Sequence, residues 1–319
     1  MSFHRWVGAL AASLLFCAAA HAEFPDKPVH IIVPFAPGGA VDAIARIIGE
    51  RISAPLGQAV IIDNRPGGGS LVGTEAAARA NPDGYTLIMG SASGFMINPL
   101  LQKLPYDPMT AFAPIALVGR VPFLVVSSAQ LPPTNLQQFI DYARAHPELS
   151  FASAGAGTPH HVAGEMFNQK AGTKLLHVPY KGTAPGLVEV VGGRVAMMPS
   201  EILAALPLVR AGKLRALGIA TAARSSIAPD IPTMKEAGLP DYEVTTWYGL
   251  FAPAGTPPEA MNKLASTIVK ALSEDATKEK LEKIGVTPGG PSGAEFGAFL
   301  RTENVKWTKA VKENNIRLD

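Results

Sequence analysis

Between Val29 and Ile52 the chain runs from strand to glycine turn to helix, and this stretch limits the possible folds more than any other. Val29-His30-Ile31-Ile32-Val33 is a short apolar run of the kind a buried parallel strand requires. Val41, Ile44, Ala45, Ile48 and Ile52 then recur at helical spacing and give one apolar face. In the turn between them, Gly38 and Gly39 carry no side chains, so a ligand can approach the backbone closely. The turn amides sit at a helix N-terminus, where unpaired N–H groups and the helix dipole favour an anion. Asp42 in the first turn suits three roles: dipole partner, cap, or acceptor for a ligand. Many α/β proteins use such a turn for structure alone, so the rest of the chain must decide.

The same rhythm continues. Gln58–Ile62 reads as a second strand, ending in the glycine loop Asp63–Ser70 and opening into a small-residue helix over Leu71–Ala80. Tyr85–Gly90 is a third strand, and small polar residues from Ser91 to Gly94 follow its carboxyl end, the edge where open α/β sheets bind ligands. Strands alternating with helices imply right-handed crossovers and parallel pairing. After a long apolar segment, Pro114–Val126, and a helix near Leu136–Ala145, strands are expected at Leu149–Ala152, Leu175–Val178, Arg194–Met198 and Leu214–Ile219. A second β-rich segment spans Tyr242–Phe251, and the remainder is mostly helical. Two long β segments bracketing an α/β block suggest two lobes joined by two crossings: residues 23–123 plus 246–319, and an inserted 124–245. That is the plan of a hinged binding protein.

Residues 1–22 read as an export leader: Arg5 is the positive end, Val7–Ala20 is apolar, and Ala20-His21-Ala22 is a cleavage site before Glu23. The apolar run is shorter than a membrane-spanning helix needs. Export to the periplasm with cleavage after Ala22 is the expectation. The only cysteine, Cys17, lies in that leader, so the fold must rest on a hydrophobic core rather than on disulfides. With a formal net charge of +2 and no basic run, nucleic acid is not an expected partner.

The inserted block has its own glycine turn, Ser153-Ala154-Gly155-Ala156-Gly157-Thr158-Pro159-His160-His161, and Val178–Thr183 repeats the geometry with Tyr180 and Lys181. Adjacent His160 and His161 point about 100° apart on a helix and lack an acidic cluster, so no metal is expected. Ser91 or Ser153 with His161 lacks the G-x-S-x-G elbow of a hydrolase, which argues against an enzyme. The glycine loops also miss the phosphate and dinucleotide fingerprints, so no cofactor is expected. Lys181 suits either a counter-ion or a solvated surface position. Phe35, Phe95, Tyr180 and Trp247 suit either a cleft wall or the core.

Taken together, these motifs resemble the Bug family, the periplasmic receptors of tripartite tricarboxylate transporters, over essentially the whole chain after residue 22. The resemblance is carried by Val33–Gly39 with Asp42, Asp63–Gly67, Pro82–Leu87, Ser153–Pro159 with His161, and His177–Gly182. It continues through Ala211–Leu217, Pro232-Thr233 with Glu236-Ala237-Gly238, Trp247–Leu250 and Ala252–Pro257. It implies an α/β, two-lobed Venus-flytrap fold of the type II periplasmic binding proteins, with parallel-rich sheets and flanking helices. The implied function is capture of a small carboxylate by a monomer and its delivery to membrane transporter subunits, or in an alternative role to a sensor kinase. The implied contacts are Phe35, Ala36, Gly39, Asp42, Ser91, Ser153, Gly155, Gly157, Thr158 and His161, with Tyr180, Lys181 and Gly182 at the rim. One position departs from the family. Where relatives often carry Phe-Asp, this chain has Pro199-Ser200, which places Ser200 at the cleft and implies a ligand without an ammonium group.

Overall fold

The computed structural model describes residues 24–318, and the leader expected over residues 1–22 lies outside them. Its strands in chain order are β1 (Val29–Val33), β2 (Val60–Asn64), β3 (Thr86–Ser91), β4 (Phe112–Ser128), β5 (Ser150–Ser153), β6 (Leu176–Pro179), β7 (Met197–Glu201), β8 (Leu214–Ile219), β9 (Thr245–Pro253) and β10 (Thr287–Pro288). The longer helices are α1 (Ala40–Leu56), α2 (Leu71–Ala78), α3 (Leu136–Ala145), α4 (Pro159–Ala171), α5 (Thr183–Val191), α6 (Ile202–Arg210), α7 (Pro258–Ser273), α8 (Asp275–Glu282) and α9 (Gly293–Glu313). The strands are hydrogen-bonded in the order β2-β1-β3-β9-β4-β7-β5-β6, with β8 and β10 also on β4. Pairing is parallel at both outer ends, where helices connect the strands, and antiparallel wherever β4 or β9 takes part.

β4 organises the molecule. Its first part, Phe112–Pro122, pairs with β9, and from Phe123 onward it pairs with β7 instead. The chain returns at Val244, whose carbonyl accepts from the Phe123 amide at 3.1 Å, just before β9 begins. Successive residues of a strand face opposite sides, and this sorts the core. Ile31 and Leu124 enter one apolar cluster, Ile32 enters a second, and Val125 enters a third. Both halves of the sheet are therefore covered on both faces. Phe95 and Trp247 belong to this core: Phe95 stacks on Phe251 at 4.2 Å, and Trp247 is buried beside Phe296.

β2 and β7 start later than the sequence pattern predicts, each for a local reason. Gly57 ends α1 in the left-handed conformation and Gln58 donates back to the Ser53 carbonyl, so β2 begins at Val60. The amides of Arg194 and Val195 both donate to the Glu189 carbonyl, which holds them to the end of α5 and delays β7 to Met197. That shift carries β7 through Glu201.

Candidate functional site

The turn before α1 is built around Asp42. Its carboxylate accepts from the Gly38 amide at 3.0 Å, from Arg46 at 2.9 and 3.0 Å, and from Asn64 Nδ2 at 3.1 Å. Asn64 Nδ2 also donates to the Phe35 carbonyl, so β2 is tied to the same turn. Burial alone would raise the Asp42 pKa, but the bonds from Arg46, Gly38 and Asn64 outweigh it and hold the carboxyl below its usual range. Asp42 therefore shapes the turn with its own acceptors. Gly39 is extended and α1 has no side-chain cap, which leaves its first amides to another acceptor.

The opposing turns meet this one directly. The Ala36 amide donates to the Lys181 carbonyl at 3.0 Å, and Asn98 Nδ2 donates to the carbonyls of Gly69 (2.9 Å) and Gly157 (3.2 Å). At Gly69, φ is +59° and a Cβ would lie 1.9 Å from the Ala156 carbonyl oxygen, so only glycine permits the approach. α5 also lacks a side-chain cap. α4 differs: Thr158 caps it by accepting from the His161 amide, and donates to the Gly155 carbonyl at 2.6 Å.

These elements enclose a buried cavity of about 10 Å³. Phe35, Ala36, Gly39, Asp42 and Ser91 line it, together with Ser93, His160, Thr183, Glu201, Thr246 and Tyr248. First-turn residues of α1, α4 and α5 thus share one cavity. Ser91 Oγ, Thr246 Oγ1 and His160 Nδ1 are buried without a hydrogen-bond partner among the described residues. A second cavity, of about 420 Å³, is lined by Gly69, Asn98, Gly155, Tyr180 and Lys181 among others. The Lys181 side chain is exposed, and its carbonyl makes the contact with Ala36.

The remaining expected contacts lie behind these walls. Ser153 Oγ accepts from the Gly155 amide at 3.1 Å and sits 2.6 Å from His177 Nε2. His161 stacks on His177 at 3.9 Å, and its Nδ1 accepts from the Gly157 amide. Gly157 is packed against Asn98, and Gly182 against Ala36. Ser200 is the clearest correction. It is fully buried in β7 with its hydroxyl on the Glu201 carbonyl, and strand alternation turns Glu201 into the cavity in its place. The Glu201 carboxylate is taken up by His160, Thr183 and Tyr248.

The sequence carries the family signal across most of its length. Residues 44–316 match the model of the tripartite tricarboxylate transporter family receptor, TctC. The chain belongs to this receptor family. Among curated relatives, Protein BugT of Bordetella pertussis is 34% identical over 98% of this chain and 97% of its own. Among solved structures, Rpa4515 of Rhodopseudomonas palustris with adipate is 36% identical, with a TM-score of 0.87 over 92% of this chain and 99% of that one. MatC (Rpa3494) of the same organism, with bound malate, is 35% identical with a TM-score of 0.85, over 90% of this chain and 100% of that one. The receptor fold, two-lobed and α/β, is therefore that of this chain.

Proposed function

We propose that this receptor captures a small carboxylate in its interlobe cleft and delivers it, after export to the periplasm, to a transporter of the tripartite tricarboxylate type. One observation carries the reading: the first turns of α1 and α5, neither capped by a side chain, converge on one buried cavity with the hydroxyls of Ser91 and Thr246, which have no partner among the described residues. Helix N-termini and hydroxyl donors in a low-dielectric site select an anion. The adipate and malate bound by relatives support a carboxylate. The lobes are assigned to residues 23–123 plus 246–319 and to 124–245. The change of β4 from β9 to β7 between Pro122 and Phe123 supports a hinge there.

A hydrolytic role is disfavoured by the Ser153–His177 contact near the turn. Ser153 is fully buried, and burial, reinforced by the neighbouring His161, lowers His177 to about 3, too low to take a proton near neutrality. The test is a thermal-shift screen of the leader-free protein against diacids, citrate, benzoate, phthalates, nicotinate and acidic amino acids. A ligand at about 100 times its Kd adds about 2.7 kcal/mol, which raises Tm by roughly 4–5 °C for a chain of this size. No shift with any of these acids would overturn the assignment.

A further inference from the structure

We propose that Glu201 is a built-in competitor for the ligand: its carboxylate occupies the anion position of the cleft, and a bound carboxylate takes its place. This deepens the carboxylate reading above and rests on it. Glu201 is 1% exposed. Tyr248 O–H donates to its Oε1 at 2.6 Å, Thr183 Oγ1 donates to its Oε2 at 2.9 Å, and His160 Nε2 lies 2.9 Å from the same oxygen. The three partners come from β9, α5 and α4, so the acid draws together the elements that enclose the cavity. Such a donor set suits any carboxylate, because hydrogen bonds to an ionised acceptor are the strong ones. With Glu201 in place only about 10 Å³ remains, room for a water and not for a carboxylate group. A second carboxylate beside it would also meet like-charge repulsion in a site of low dielectric. Entry of the ligand therefore requires the Glu201 side chain to swing away. Glu201 ends β7 and stands at the N-cap of α6, and its side chain makes no capping bond to that helix that would hold it there.

The experiment compares the leader-free protein with Glu201→Gln and Glu201→Ala by calorimetric titration of adipate. Both variants are expected to bind adipate more tightly, by about ten-fold or more for alanine and less for glutamine, which keeps a neutral acceptor. Unchanged or weaker binding in both would overturn the proposal and assign Glu201 to holding the ligand, leaving the carboxylate reading intact. A second arm separates the two failures. Acetate replaces the atoms that Glu201→Ala removes, so about 100 mM acetate is expected to raise the Tm of that variant above its value in chloride, with no such rise in the parent. If acetate has no such effect, the proposal fails whatever adipate does. If acetate stabilises the variant while adipate binds none of the three proteins, the anion position stands and the larger-carboxylate reading fails. Should the alanine variant not fold, the glutamine variant decides alone.

Discussion

At the scale of single residues, the half-buried His177 and the buried Glu201 give this receptor a defined response to acid. His177 stacks against Phe151 and His161 and hydrogen-bonds Ser153. Burial, with the His161 charge second, lowers its pKa from 6.5 to about 3. A group depressed in this way stabilises the fold fully above its unfolded pKa, and that stability is lost as pH falls from 6.5 towards 3, at a slope of up to ~1.4 kcal/mol per pH unit. Glu201 follows lower down. Burial would raise it, but the His160 charge and the bonds from His160 and Tyr248 outweigh burial and hold it at about 2, so its contribution is lost between 4.5 and 2. Urea midpoints measured from pH 7 to pH 5 should therefore fall in the parent and fall less steeply in His177→Gln; equal slopes would remove His177 from the account. Asp42 is a second residue-scale case. Asp42→Asn weakens the Arg46 and Gly38 bonds at a buried site and is expected to cost about 1–3 kcal/mol in a urea titration. No change would mean that the turn holds without its carboxylate.

At the scale of elements, the glycine turns were legible in the sequence because each is local: strand, glycine and helix lie within fifteen residues or so, about the reach of a βα unit. The cleft centre was not. Glu201 meets His160 across 41 positions and Tyr248 across 47, and only the switch of β4 between β9 and β7 brings them together. A strand expected at Arg194–Met198 stops short of Glu201, because turn bonds to the Glu189 carbonyl hold Arg194 and Val195 out of it. A signal was present: Glu201 is a lone acid between Met197-Met198-Pro199-Ser200 and Ile202-Leu203, a costly residue to place in an apolar run without partners. His160 and His161 also divide their work in a way that adjacency conceals. His160 faces the cavity, and His161 packs behind it. Gly69→Ala tests the contact between turns. Its Cβ would strike the Ala156 carbonyl, so the turns cannot close. The variant is expected to bind carboxylates about ten-fold or more weakly, with a stability loss near 1 kcal/mol from the left-handed backbone. Parent-like affinity would show that this contact does not form in the bound state.

At the scale of the whole molecule, the outer strands and their helices form two α/β blocks, and β4 and the approach to β9 are the connections between them. In the proposed function, an anion at the seam would gain contacts from both blocks at once, and ligand binding and closure would become one equilibrium. The central claim is that this seam binds one carboxylate through the backbone of the α1 turn. Calorimetric titration of the leader-free protein with adipate and malate, beside the variant Gly39→Val, tests it most directly. Gly39 has an ordinary extended backbone with room for a Cβ, 3.7 Å from Thr183 Cβ, and the branches of a valine would fill the approach to the turn. The account requires saturation at one site per chain in the parent and a loss of about ten-fold or more in the folded variant. Equal affinity in the two proteins, or no saturable heat with either acid in the parent, would contradict it.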